Sequence, residues 1–188
     1  GRPFDQVILA CAASHAYQLL QANAPHLSEA DRSQLDPWLR KTQALKFEAI
    51  ATVYAWAPEA RLSQPMLALR SSAEHWPAQF VFDRGRLGGP EGLLAFVVSA
   101  SRGSRHDLQR QVLHQAHVQL GLTLSPVLTV VEKQATFACT PGLIRPSPQI
   151  LSGLVACGDY VAGPYPATIE GAVRSARHAV ALLTIKDR

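Results

Sequence analysis

The residues best suited to chemistry lie close together near the end of the chain: Gly158 and Asp159, then, six residues further on, a run containing Pro166, Thr168, Ile169, Glu170, Gly171 and Ala172. Asp159 offers an acceptor for the hydroxyls of a sugar or polyol. A helix beginning at Thr168 presents unpaired backbone N–H groups and a partial positive charge, which suit a phosphate or the electron-rich edge of a ring. Gly171, one turn into that helix, carries no side chain and leaves room for a flat ligand against the backbone. Other candidates lack a completing partner. His114 and His117 have metal-like spacing, but no carboxylate is placed to finish a site and Arg110 on the same face repels a cation, so no metal is expected. The glycine-rich stretch from Gly85 to Gly92 lacks both G-x-x-x-x-G-K-[ST] and G-x-G-x-x-G spacing and reads as a hairpin connection. Asp83, Glu132 and Glu170 qualify as catalytic candidates only by being carboxylates, and no catalytic residue is assigned.

Positioning the terminal cluster requires a strand, a turn and a helix in succession. Leu154 to Cys157 is a short apolar run of the kind a buried strand makes, and Gly158-Asp159 favours a tight turn. A loop with Gly163, Pro164 and Pro166 follows. Thr168 then caps a helix whose apolar positions Ile169, Val173, Ala176, Val180 and Leu183 recur at three- and four-residue spacing, which predicts a helix lying on a sheet.

Upstream, Phe4 to Cys11 reads as a strand entered with almost no lead, followed by a short helix capped at Ser14. Residues 23–45 are helical, with Ser28 and Asp31 spaced as a capping box and Asp36-Pro37 restarting the helix, while Trp38, Leu39 and Leu45 pack inward. From Phe47 to Ser99 the period becomes that of strands, predicting an antiparallel or mixed sheet. Ser104 opens a further helix that ends at Gly121 and buries Leu108, Val112, Leu113, Ala116 and Leu120. A strand over residues 127–132 and a proline-interrupted passage complete the route. The fold class is α+β.

With 188 residues and 47% hydrophobic content, the chain can bury a substantial core. No apolar run approaches the roughly 18 residues of a membrane helix, and no signal peptide is recognisable, so a cytoplasmic protein is expected. Cys11, Cys139 and Cys157 stand singly without C-x-x-C spacing, which suits reduced packing residues. The net charge of +4 is spread along the chain and aromatic content is 7%, which argues against nucleic acid as a partner.

The wording of the terminal stretch, Gly158-Asp159 and then Pro166 to Ser175, resembles the C-terminal FAD-binding signature of the flavin amine oxidase and phytoene desaturase superfamily. Within it, Phe82 to Arg86, Glu132 to Phe137 with Pro141-Gly142, and Pro166 to Ser175 together resemble the hydroxysqualene dehydroxylase family, also called squalene-associated FAD-dependent desaturases. The match departs at Ala176, where the superfamily usually has glycine, and at Ala12-Ala13, where a proline is usual.

The resemblance implies FAD as cofactor, with roles in binding it for Gly158, Asp159, Pro166, Thr168, Ile169, Glu170, Gly171 and Ala172. It implies a polyisoprenoid alcohol as substrate, reductively dehydroxylated on the route to hopanoids. The sheet of residues 47–99 would wall the cavity, with Val53, Phe80, Phe82, Phe96 and Val98 as candidates. It divides the chain into residues 1–22 as part of an FAD domain, 23–145 as a substrate-binding α+β domain, and 146–188 as the FAD-contacting strand-turn-helix. The dinucleotide-binding βαβ unit with G-x-G-x-x-G does not occur in this sequence. The expected partner is therefore an N-terminal FAD-binding half, without which this polypeptide binds FAD weakly or not at all. A substrate that partitions into bilayers brings in peripheral contact with the inner face of the membrane, and apolar surface left uncovered favours a homodimer. Other flavin-containing amine oxidases, carotenoid-type desaturases and a non-catalytic module for an apolar ligand or partner are the alternatives.

Overall fold

The computed structural model describes residues 4–72 and 74–184. They form an α+β chain that divides into two units, one of residues 1–46 with 137–188 and the other of residues 47–136. Residues 23–46 join the first unit because their helix is tied to it. The indole N–H of Trp38, itself buried, donates to the Ser147 carbonyl at 2.8 Å.

In the first unit, β1 (Val7–Leu9) pairs in parallel with β8 (Leu154–Ala156), and β7 (Gln149–Leu151) pairs antiparallel with the other edge of β8. The helix α1 (Ala13–Asn23) begins before Ser14, so its cap position is Ala12 and no side chain serves it. The helix α2 (Glu29–Gln43) has the expected cap: Ser28 Oγ accepts from the Asp31 amide at 3.1 Å. Pro37 does not restart it. The helix runs through the proline, whose first-turn preference gives way to burial of Leu35, Trp38 and Thr42 on one face.

The helix α4 (Ile169–Thr184) packs on β8, with Ala176, Ala179, Leu182 and Leu183 against Val155 and Cys157. Its buried stripe is not the one its larger apolar residues predict. Ile169 is 85% exposed, and Val173 and Val180 are also open. The neighbouring stripe of Gly171, Ser175, Ala179 and Leu183 turns inward instead, because small residues let the helix approach the strand and its loop closely.

The second unit is a five-stranded sheet in the order β3-β4-β5-β2-β6, built from β2 (Phe47–Trp56), β3 (Met66–Ala68), β4 (Phe80–Asp83), β5 (Leu93–Val98) and β6 (Ser125–Phe137). The pairings β2 with β5, β5 with β4, and β4 with β3 are all antiparallel. The glycine-rich stretch is the β4–β5 connection. Gly92 has φ +74°, and a Cβ there would lie 2.2 Å from the Ala57 carbonyl oxygen, so the turn admits only glycine.

Side chains alternate across a sheet, so register decides which residues share a face. One face sets Val53, Phe96, Val81 and Leu67 in a row, flanked by Ala51 with Val98 and by Ala55 with Leu94. Here α3 (Arg105–Leu120) packs with Leu108, Val112 and Ala116. The other face sets Thr52, Val97, Phe80 and Ala68 in one row, Tyr54, Ala95, Phe82 and Met66 in the next, and Trp56 with Leu93 in a third. None of these side chains is charged, and no α-helix of this unit covers them among the described residues. Among the described residues, no helix is long and apolar enough to cross a membrane.

Candidate cofactor site

The site is built where β8 stops. The Cys157 amide donates to the Leu9 carbonyl at 3.0 Å, which carries the pairing one residue past the strand. The chain then turns at Gly158, whose amide donates to Ser175 Oγ of α4 at 2.8 Å, while that hydroxyl donates to the Gly158 carbonyl at 3.0 Å. A Cβ at Gly158 would lie 2.6 Å from Cε1 of Tyr160, so glycine is required for the tyrosine ring to fold back over the turn. Tyr160 is 2% exposed as a result.

The following loop is clasped by Arg145. Its Nη1 donates to the Val161 carbonyl at 2.7 Å and to the Asp159 carbonyl at 3.4 Å, and its Nη2 donates to the Gly163 carbonyl. At the entry to α4, Thr168 Oγ1 donates to the Tyr165 carbonyl at 2.7 Å and accepts from the Gly171 amide at 3.0 Å, which makes it the helix cap.

Between the ends of β1 and β8 and the first turn of α4 lies a cavity of about 330 Å³, lined by Ala10, Cys11, Ala12, Cys157, Gly158, Asp159, Tyr160 and Ala172. Three of the residues expected at a cofactor site, Gly158, Asp159 and Ala172, therefore come together. Pro166, Thr168, Ile169, Glu170 and Gly171 do not line the cavity. Thr168 is occupied with capping, Ile169 is open to solvent, and Glu170 pairs with Arg174. The space expected above Gly171 for a flat ligand is filled by the chain itself: a Cβ there would lie 2.1 Å from the Tyr165 carbonyl oxygen.

The lining combines small residues with polar groups that the protein leaves available. The Asp159 carboxylate takes no hydrogen bond or ion pair among the described residues. The Tyr160 hydroxyl is buried with no hydrogen-bond partner. Burial, reinforced by Cys11, Cys157 and Asp159 nearby, pushes its phenol above the ordinary tyrosine value, so it holds its proton. Burial, and next Cys11, likewise push the Cys157 thiol up. Sequence reading did not mark Tyr160, Arg145 or the pair Cys11 and Cys157. Arg145 acts on backbone carbonyls, which have no sequence signature, whereas Tyr160 directly follows Gly158-Asp159 and was open to inclusion.

The remaining carboxylate candidates are committed elsewhere. Asp83 is fully buried and accepts from the Leu62 amide at 3.0 Å and the Arg86 amide at 3.2 Å. Glu132 accepts from the Gln134 amide at 3.1 Å. The described residues hold no cluster of three or more His, Cys, Asp or Glu side chains able to bind a metal.

The sequence pattern of flavin containing amine oxidoreductases matches residues 1–184. The chain belongs to this family. No curated protein matches it. Among solved structures, a Pyrococcus furiosus protein is similar over 97% of this chain and 41% of its own, with a TM-score of 0.65 and 13% identity. An oxidoreductase from Methanosarcina mazei is similar over 100% of this chain and 44% of its own, with a TM-score of 0.61 and 18% identity. At these identities the likeness is one of fold, and the chain spans about two-fifths of each structure's length.

The cofactor named by the amine oxidoreductase family suits the residues present. Ala10, Ala12, Gly158 and Ala172 bring only small side chains or none to the lining, and Asp159 is an acceptor suited to ribityl hydroxyls.

Proposed function

We propose that this chain is the C-terminal, substrate-side part of a flavin-dependent oxidoreductase that acts on a polyisoprenoid, in a reductive dehydroxylation of the hydroxysqualene-to-squalene type. The observation that carries this reading is the open face of the five-stranded sheet. Its rows of Phe80, Phe82, Tyr54, Trp56, Met66, Leu93 and Val97 present a broad apolar surface without charge, with Met66 49% and Phe80 39% exposed. Such a surface suits a long hydrocarbon better than an anionic substrate. The wall consists of Phe80 and Phe82 but not of Val53, Phe96 or Val98, which lie in the core against α3.

When bound, a reduced flavin would supply a hydride to the allylic carbon and be oxidised in doing so, while the hydroxyl would leave as water with a proton taken from solvent. This chain's residues orient and shield. Asp159 would hold the cofactor by hydrogen bonds, Gly158 and Ala172 would let it approach the backbone, and the apolar sheet face would exclude water from the hydrocarbon it holds. The pyrophosphate site belongs to residues outside this chain, because no G-x-G-x-x-G occurs in it.

The test is to incubate the whole flavin-loaded polypeptide with hydroxysqualene under anaerobic reducing conditions and, separately, with amines under air. Squalene as the product, with amines left untouched, is the expected outcome. Amine oxidation without conversion of the isoprenoid alcohol would overturn the substrate class.

A further inference from the structure

We infer that the Tyr160 hydroxyl donates a hydrogen bond to the flavin at the cavity between the ends of β1 and β8 and the start of α4. The inference rests on the flavin reading above and adds a contact that the Gly158-Asp159 signature does not contain. A phenol that is 2% exposed ordinarily has a partner for its hydroxyl, yet this oxygen has none. The ring is seated against Gly158, so closely that a single Cβ there would collide with it. The backbone on either side is also fixed, by Ser175 at Gly158 and by Arg145 at Val161. Its neighbours on the cavity wall are Cys11, Cys157 and Asp159, and none of them takes the hydroxyl proton. A group held rigid, protonated and unpaired beside a cavity is set to serve what fills that cavity. For a flavin this means a ring carbonyl or nitrogen, or a ribityl or phosphate oxygen, all of them acceptors.

The experiment compares Tyr160→Phe with wild type in the whole polypeptide, with and without FAD. Without cofactor the variant should be at least as thermally stable as wild type, because it loses a buried hydroxyl that had no partner. With cofactor the sign should reverse: FAD affinity by fluorescence titration falls about tenfold, and the flavin absorbance spectrum or midpoint potential shifts. Equal affinity together with an unchanged spectrum and potential would overturn the inference. So would loss of stability in the cofactor-free variant, since that would mean a protein group receives the hydroxyl. If the wild-type whole polypeptide takes up no flavin at all, the flavin reading fails, and this inference with it.

Discussion

Asp83 illustrates how a carboxylate that looks available for catalysis can be wholly structural. Burial raises its pKa, but the amides of Leu62, Arg86 and Gly85, helped by the charge of Arg61, outweigh that cost and hold the group below the usual aspartate value. A carboxylate with a depressed native pKa adds stability above its unfolded value of about 3.9 and loses it as pH falls through the native value. Asp83→Asn keeps the shape but replaces a charged acceptor with a neutral one. It should cost about 2 kcal/mol at neutral pH, and the gap from wild type should close below about pH 4. Urea unfolding at a series of pH values measures this, and a gap constant down to pH 3 would show that the charge of Asp83 does not hold the 60–62 segment and the β4–β5 turn.

At the scale of elements, the two sides of the five-stranded sheet should respond oppositely to the same truncation. Phe96 on β5 is fully buried toward α3, whereas Phe80 on β4 faces the open side. Phe96→Ala leaves a cavity and should cost about 3–5 kcal/mol. Phe80→Ala should cost less than about 1.5 kcal/mol, and under the proposed function its effect falls on binding of the isoprenoid instead. Chemical denaturation of both variants, followed by KM measurement on the whole protein, separates the two roles. Equal losses of stability would mean that the open face is covered as core. The strands themselves were legible in their alternation, but alternation only sorts residues into two sets. Which set meets a helix depends on where α3 comes to rest, which is why Val53, Phe96 and Val98 looked as suitable for a cavity wall as Phe80 and Phe82.

At the scale of the molecule, the proposed flavin reading makes a prediction about affinity. The first unit brings β1, β8 and α4 to one cavity but carries no phosphate-binding βαβ turn, and much of a dinucleotide's affinity comes from its pyrophosphate. The 188-residue polypeptide mixed with excess FAD and passed through gel filtration should therefore emerge colourless, whereas a longer polypeptide that supplies such a turn should retain the flavin. Flavin retained in equal amounts with the short chain would show that the cavity at Gly158 suffices alone. Ile144, Ile169 and Val173 are exposed on the same unit, so the short chain should also bind apolar dyes more strongly than the longer one.

The sequence determined the elements and the family: Ser28, Ser104 and Thr168 mark helix starts, alternation marks the strands from Phe47 to Val98, and Gly158-Asp159 with Pro166 to Ser175 carries the flavoprotein signature. These are local signals, set by backbone capping and by residue order. Only the tertiary structure decided which signature residues share a space. Asp159 and Ala172 meet at the cavity, while Gly171 is needed because the Tyr165 carbonyl passes against it. It also decided that α4 buries its small residues rather than Ile169, Val173 and Val180. The reason is physical: close approach is a property of two surfaces together, and a one-dimensional pattern records only one of them.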